Sequence, residues 1–421
     1  MHKMVSFPNG LRLIMKKLDF LRSVSVGVWV GAGSAYETQQ NNGISHFIEH
    51  MLFKGTTNRT AFEIADSIDR IGAQINAFTA KECTCYYTKS IDEHLDKCIE
   101  ILSDMFFNSN FIDTELQKEK KVVIEEISMV EDSPEDVCHE NLAKLFFEGS
   151  SLGRPIIGNA DNINGFDKTK IQKFIDDHYC PQNVVISVAG NFDFDNLTEL
   201  VTKYFSNEFD KNQYCLKSEA AQKHISVSKA GYKIKQFEQA SIAIGFPSPM
   251  FNSEDTYSMM LMSNVLGGTM SSRLFQKVRE ELGLAYSVYT FMSSYKNNGV
   301  FSVYCGTNPQ NIEKAVETVV AELKKLLKDG ITKEEFKRGK EQLKGSFILG
   351  QENTTSIMNV YGKMLLISDQ IFDLDQKLNE INSISMDDVL NTAQNHIDFN
   401  RACISCVSSR TDIGDLLQLL N

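Results

Sequence analysis

The chain repeats itself at a nearly constant spacing, and this duplication limits the folds that it can adopt. The matching segments occur in the same order in both halves: Gly55-Thr56 with Gly268-Thr269, 111–115 with 330–335, Ile163-Asn164 with Ile381-Asn382, and His178 with His396. After the last pair, the apolar runs 184–188 and 402–406 also align, 218 positions apart. Repeated order at a repeated spacing indicates two copies of one structural unit of about 200 residues.

Local patterns predict the same kinds of element in each copy. In the first half, residues 24–30 alternate valine with other residues, which predicts a strand, and residues 44–53 have helical character. In the second half, 241–246 predicts a strand and 256–266 a helix. The stretch between the copies is polar and has little periodicity, which is typical of a linker. We therefore predict a first lobe over 1–206, a linker over 207–230 and a second lobe over 231–421.

Composition excludes several classes of protein. Apolar residues make up 42% of the chain and charged residues 23%, which is typical of a folded protein. Lys and Arg total 43 against 55 Asp and Glu, a net charge of −12 that argues against a nucleic-acid binder. No run approaches the ~18 apolar residues of a membrane span. The N-terminus lacks a signal-peptide pattern and the nine cysteines are scattered, so we expect reduced thiols and a cytoplasmic location.

The segment His46-Phe47-Ile48-Glu49-His50 is the strongest chemical signal in the chain. In a helix, successive residues turn by about 100°, so His46, Glu49 and His50 share an arc of about 100°. Two imidazoles at this spacing can bind one metal ion, and the carboxylate between them can hold a water on that ion. Polar surface residues are the alternative, but the chain has only eight histidines and this segment is otherwise apolar.

A catalytic zinc also needs a third protein ligand and one open position. The predicted helix over 115–130 is rich in acidic residues and has an apolar stripe that could pack on the first helix. Reasoning from these residues alone leaves several candidates open: Glu115, Glu119, Glu125, Glu126 and Glu131.

With these motifs the sequence resembles the pitrilysin family of zinc peptidases, which includes mitochondrial processing peptidase and insulin-degrading enzyme. The resemblance rests on the stretch 43–56, on the stretch 119–127, and on an acidic residue 76 positions after His50. It implies that Glu126 is the third metal ligand beside His46 and His50. It also implies that Glu119 is a supporting carboxylate that orients a ligating histidine or the metal water.

Further segments extend the resemblance over nearly the whole chain. Residues 72–79 resemble the family's edge strand beside the metal, which implies that a substrate peptide adds to that strand near Asn76 and Ala77. Residues 272–287 resemble the family's second-half signature, which implies that Arg279 and Tyr286 reach toward the catalytic centre. There they would stabilise an oxyanion or hold peptide carbonyls. A salt bridge at Arg279 and a core role for Tyr286 are the alternative.

The second copy of the repeat lacks the metal residues. The counterparts of His46, Glu49, His50, Glu119 and Glu126 are, respectively, Met259, Met262, Ser263, Gly339 and Ser346. None of these residues can replace the set in the first copy, so we predict a degenerate second lobe that encloses substrate and binds no metal.

Together, the duplication and the resemblance predict an α+β fold. We expect two similar α/β-sandwich lobes, each a mostly antiparallel sheet with helices packed on it. The predicted function is a zinc-dependent endopeptidase that binds one Zn²⁺ per chain. Glu49 would be the general base on a zinc-bound water, and the substrates would be extended, unfolded peptides or leader segments inside a closed chamber.

Three further expectations concern partners and alternatives. Two-lobed family members pair, so the resemblance implies a dimer, and we expect a homodimer with no nucleic-acid or membrane partner. A noncatalytic scaffold or partner subunit of a processing-peptidase-like assembly is the main alternative function. An amidase that uses the same metal is the second.

Overall fold

The computed structural model describes residues 1–209 and 221–420, and its strands form two sheets. The strands are β1 His2–Ser6, β2 Arg12–Lys17, β3 Ser23–Val30, β4 Gln74–Thr79, β5 Thr84–Ile91, β6 Val184–Gly190, β7 Lys229–Ile234, β8 Ala240–Pro247, β9 Ala285–Ser294, β10 Gly299–Thr307 and β11 Cys403–Ser408. Much of the predicted linker, at 210–220, lies outside the described residues, and its last two residues belong to β7.

Helices outnumber strands in the described chain. The α-helices are α1 Ile44–Leu52, α2 Ala61–Asp69, α3 Leu95–Asn108, α4 Asp113–Glu131, α5 Pro134–Phe146, α6 Ala160–Asn164, α7 Lys168–His178, α8 Phe194–Val201, α9 Thr256–Gly267, α10 Ile312–Asp329, α11 Lys333–Gly350, α12 Thr354–Ser368, α13 Leu374–Ser383, α14 Met386–His396 and α15 Leu416–Leu420. Two π-helical turns cover Thr202–Ser206 and Phe275–Glu281. Across the described ranges, every helix is too short or too polar to cross a bilayer.

The two sheets have the same topology. The first has the order β1-β2-β6-β3-β5-β4, and the second has the order β7-β11-β8-β10-β9. In each, one parallel pair, β2 with β6 or β7 with β11, joins strands that otherwise pair antiparallel. The β1 hairpin strand is the only addition to the first sheet among the described strands. The α+β class with two similar, mostly antiparallel lobes is therefore confirmed.

The chain forms two compact units that are not its two continuous halves. Unit 1 contains Met1–Ile127, the described part of Pro155–Ala220, and Leu349–Phe372. Unit 2 contains Ser128–Arg154, Ala221–Ile348 and the described part of Asp373–Asn421. Each sheet therefore receives a helix from the other half of the sequence. Helix α12 packs on β3 and β6 in unit 1, and α5 packs on β8 and β11 in unit 2.

Close packing holds each of these exchanged helices on its sheet. In unit 1, the Trp29 indole N–H faces the Met358 sulfur at 3.4 Å, and Ser187 donates to the Met358 carbonyl at 2.8 Å. Gly362 of α12 lies against Trp29, where an added Cβ would collide with the ring. In unit 2, the buried Cys138 thiol of α5 donates to the Ser241 carbonyl of β8 at 3.4 Å. Small residues at these contacts let the helix and the sheet approach closely.

Candidate metal centre

Helix α1 carries the histidine motif, and a buried carboxylate fixes where this helix begins. Glu37, only 4% exposed, accepts hydrogen bonds from the backbone N–H groups of Gly43 and Ser45, both at 2.8 Å. These are donors that the first turn of a helix leaves unpaired, and a carboxylate there also complements the helix dipole. Phe47 and Ile48 are fully buried, so the opposite face of α1 holds it in the lobe. The sequence analysis did not identify Glu37.

The three predicted metal ligands converge in unit 1. His46 Nε2 lies 3.8 Å from Glu126 Oε1, and His50 Nε2 lies 3.5 Å from Glu126 Oε2. One nitrogen from each ring and one carboxylate oxygen all lie within 4.8 Å of one another, on α1 and α4. Of the five acidic candidates on α4, only Glu126 belongs to this cluster among the described residues.

The chemistry of this donor set fits zinc. Burial, together with the nearby His50, lowers the pKa of His46 to about 4, so its ring is neutral at physiological pH and offers a lone pair. Two imidazole nitrogens and one carboxylate oxygen are a common zinc set, which leaves a fourth position open. His46 Nδ1 is buried and has no hydrogen-bond partner among the residues that the structure describes.

Glu119 stands behind His50, on the side away from Glu126. Its Oε1 accepts the N–H of His50 Nδ1 at 2.7 Å, and its Oε2 accepts from Lys54 Nζ at 2.7 Å. Burial alone would raise the pKa of Glu119, but these two donors hold it below its ordinary value. Burial alone would lower the pKa of His50, and Glu119 raises it overall. A carboxylate behind a ligating histidine is the arrangement that fixes its tautomer.

Glu49 lies on the same face of α1 as the ligands and is held by a neighbouring strand. Its Oε2 accepts a hydrogen bond from Thr79 Oγ1 at 2.5 Å, and Thr79 is the last residue of β4. Burial raises the pKa of Glu49, and the Thr79 hydrogen bond opposes that rise. Thr79 and Lys54 both lie inside stretches that the sequence analysis singled out, but neither had been given a role.

Strand β4 lies at the edge of the described sheet and contains Asn76 and Ala77. It pairs with β5 alone within the described residues. Asn76 is exposed, and its side-chain oxygen accepts the Ala77 backbone N–H at 2.8 Å. Asn76 and Ala77 therefore lie on an edge strand, where the Asn76 side chain occupies the Ala77 backbone donor.

Arg279 and Tyr286 lie in unit 2, at the π-helical turn and the start of β9. The Arg279 guanidinium lies over the rings of Phe275 and Tyr286, with distances of 4.7 Å and 5.1 Å to their centres. Tyr286 is 75% exposed, so the alternative of a core tyrosine is wrong. Arg279 also lies 3.6 Å from the Glu280 carboxylate.

Comparison with known proteins identifies the family of this chain. Residues 12–160 match the family model described as Insulinase (Peptidase family M16), and residues 165–343 match Peptidase M16 inactive domain. A Bacillus subtilis protein named "Uncharacterized zinc protease YmxG" is 43% identical over 92% of this chain and 94% of its own length. A Streptomyces coelicolor protein of the same kind of name is 36% identical over 91% of this chain and 84% of its own.

A solved structure shows the same fold. The crystal structure of a protease from Helicobacter pylori superposes with a TM-score of 0.90 at 24% identity, covering 97% of this chain and 99% of the other. The duplicated fold and the paired histidines define a class of two-lobed, zinc-protease-like proteins. Within that class, the chain belongs to peptidase family M16, and the resemblance to the pitrilysin family is confirmed.

Proposed function

We propose that this protein is a zinc-dependent endopeptidase with its active site in unit 1. The observation that carries the proposal is the convergence of His46, His50 and Glu126, with the Glu49 carboxylate on the same helix face. The relatives named zinc proteases support a protease role.

His46, His50 and Glu126 would hold the metal. When bound there, zinc supplies Lewis acidity, which lowers the pKa of water toward ~7 and polarises a carbonyl. The neutral His46 ring and the carboxylate of Glu126 provide the matching ligands.

Glu49 would act as the general base. Its burial raises its pKa, which brings the carboxylate closer to the range in which it can both accept and return a proton. Thr79 holds one oxygen of the carboxylate, so the carboxylate can take the proton of the attacking water and later deliver it to the leaving amine.

Substrate would bind as an extended strand on β4. Backbone groups at this edge can form a ladder with a peptide, so Asn76 and Ala77 are the proposed contacts. A folded substrate seldom offers a free strand, and the preference would therefore be for unfolded peptides or leader segments. Arg279 and Tyr286 as further peptide contacts, a closed chamber, a homodimer and a cytoplasmic location remain predictions.

The test is cleavage of a pool of unstructured peptides, read by mass spectrometry, with Glu49→Gln as the matched variant. We expect the parent to cleave and the variant to lose about 10²–10⁴-fold in rate while it keeps one zinc per chain. Equal cleavage by both proteins would contradict the role of Glu49. A parent that binds zinc but cleaves nothing would favour the noncatalytic partner subunit.

A further inference from the structure

Lys54 lies just after the helix that carries the histidine motif. Helix α1 ends at Leu52, and the Lys54 backbone N–H still donates to the Met51 carbonyl at 3.1 Å. This turn directs the Lys54 side chain back toward α4, where its ammonium lies 2.7 Å from Glu119 Oε2. The other oxygen of the same carboxylate receives the His50 ring N–H. One carboxylate thus links an ammonium and an imidazole that are four residues apart.

Glu119 needs both of these partners. Its side chain is 4% exposed, so water cannot replace a missing donor at either oxygen. A buried carboxylate that keeps only one partner bears a desolvation cost and tends to rotate toward another donor. The Lys54 side chain is 31% exposed, so it lies partly in water while its ammonium reaches the buried oxygen. The position of the Glu119 carboxylate therefore depends on Lys54.

The orientation of His50 depends in turn on Glu119. A carboxylate accepts hydrogen bonds, so the proton of the neutral ring lies on Nδ1 and the lone pair lies on Nε2, facing Glu126. His46 has no such support, since its Nδ1 lacks a partner among the described residues. Among the described residues, a hydrogen bond therefore fixes the ring of His50, and none fixes the Nδ1 side of His46.

We propose that Lys54 is a positioning residue of the metal centre: it anchors Glu119, and Glu119 sets the tautomer and orientation of His50. The inference rests on the proposed zinc site and goes beyond it, because it assigns a role in zinc affinity to a residue that touches neither metal nor substrate.

The experiment measures zinc affinity directly, in the Glu49→Gln background so that no cleavage interferes. The Glu49→Gln protein is the parent, and Lys54→Met and Lys54→Arg are each added to it. Chelator competition gives the zinc dissociation constant of all three proteins. We expect a 10–100-fold weaker affinity in Lys54→Met, the range found for groups that support a metal ligand. Lys54→Arg keeps a cationic donor and should recover most of the loss. The visible absorption of the Co²⁺ form should change in Lys54→Met, because the His50 ring is no longer held.

A matched control separates this role from general charge effects and from stability. Lys118 pairs with Glu115 on α4 and is exposed, so Lys118→Met removes a similar charge without touching Glu119. We expect its zinc affinity to match the parent. Thermal unfolding of the metal-free proteins by circular dichroism should show Lys54→Met folded at the assay temperature. An unfolded metal-free variant would assign Lys54 to stability instead.

The outcomes distinguish this inference from the proposed function. Zinc affinity within twofold of the parent in Lys54→Met, or equal losses in Lys54→Met and Lys118→Met, would overturn the role of Lys54 alone. A parent that binds no zinc would overturn the metal site, and both proposals would fall together.

Discussion

The sheets of the two units share one topology, but one pair of corresponding helices differs in its contacts. The two helices contact each other through polar side chains in unit 1 and through apolar ones in unit 2. In unit 1, α1 and α4 meet through the proposed metal ligands and through the carboxylate of Glu119. In unit 2, the corresponding helices are α9 and α11. Met259 and Met262 of α9 are fully buried, and Gly339 of α11 takes the place of Glu119. A single architecture therefore supports either the proposed metal site or an apolar contact at this position.

Gly339 lies where α11 packs closely against α9 in unit 2. A Cβ at this position would lie 3.3 Å from Val265 Cγ2 and 3.4 Å from Leu261 Cδ2, both on α9. The two helices therefore approach too closely for a carboxylate to fit between them. A buried cluster of charged and imidazole groups costs stability unless each group is paired. Unit 1 bears that cost for its proposed chemistry, and unit 2 replaces it with packing.

The largest expected effect comes from removing the third ligand. Glu126→Gln should weaken zinc affinity by more than about 100-fold, because loss of a ligand exceeds the 10–100-fold cost of losing a supporting group. The adjacent Glu125 is exposed, and Glu125→Gln is the matched control with unchanged affinity. Chelator competition and metal analysis provide the measurement. Equal zinc content in Glu126→Gln and the parent would mean that another α4 carboxylate is the ligand.

Much of the fold and of the candidate site could be predicted from the sequence, because local spacing alone determines some of the geometry. Two histidines four residues apart on one helix define a donor pair by helical geometry alone, so His46 and His50 needed no tertiary information. The repeat spacing predicted the duplicated lobes and located the residues of the second lobe, such as Met259, Ser263 and Ser346, that replace the proposed ligands. Glu126 could be chosen among five acidic residues only through the resemblance, because which carboxylate faces α1 depends on how the helices pack.

Other features depend on tertiary structure, which leaves no local pattern. The exchange of α5 and α12 between the sheets cannot be read from the chain, since either helix has an apolar face that would suit either sheet. Glu37, Lys54 and Thr79 lie near the motif or in the predicted edge strand. Their roles arise from contacts across 8, 65 and 30 residues, respectively, which no helical or strand period reveals.

The exchanged helix of unit 1 gives the second prediction. Gly362→Ala places a methyl group against Trp29, and overpacking of this kind typically costs about 1–3 kcal/mol in the free energy of unfolding. Gly345→Ala on α11 is the matched control: no atom lies within 4 Å of its added Cβ. Removing a helical glycine there should stabilise by up to ~1 kcal/mol. Urea unfolding should show a lower free energy of unfolding in Gly362→Ala and a higher one in Gly345→Ala. A Gly362→Ala variant more stable than the parent would contradict the close packing of α12.

The third prediction tests the support of Glu49 by β4. Thr79→Val keeps the shape and removes the hydroxyl. Cleavage should fall about 10-fold while zinc content is unchanged, because a hydrogen bond to a charged group contributes about 1.5–3 kcal/mol and the lower end of that range corresponds to about 10-fold. Thr79→Ser should keep most of the rate. A Thr79→Val variant with the parent's kcat and KM would show that the hydroxyl does not position Glu49.

The smallest effect concerns unit 2 at acid pH. Burial alone would raise the pKa of Glu335, but hydrogen bonds from the Arg273 guanidinium and the Thr332 backbone N–H lower it from 4.5 to about 2. A carboxylate whose pKa is depressed by folding stabilises the folded state fully above its ordinary pKa, and this stability is lost as pH falls through the folded value. Glu335→Gln should therefore lower the urea midpoint near pH 6 and have a progressively smaller effect between pH 4.5 and 2. A difference that stays constant over this range would show that the ionised carboxylate contributes nothing to the stability of unit 2.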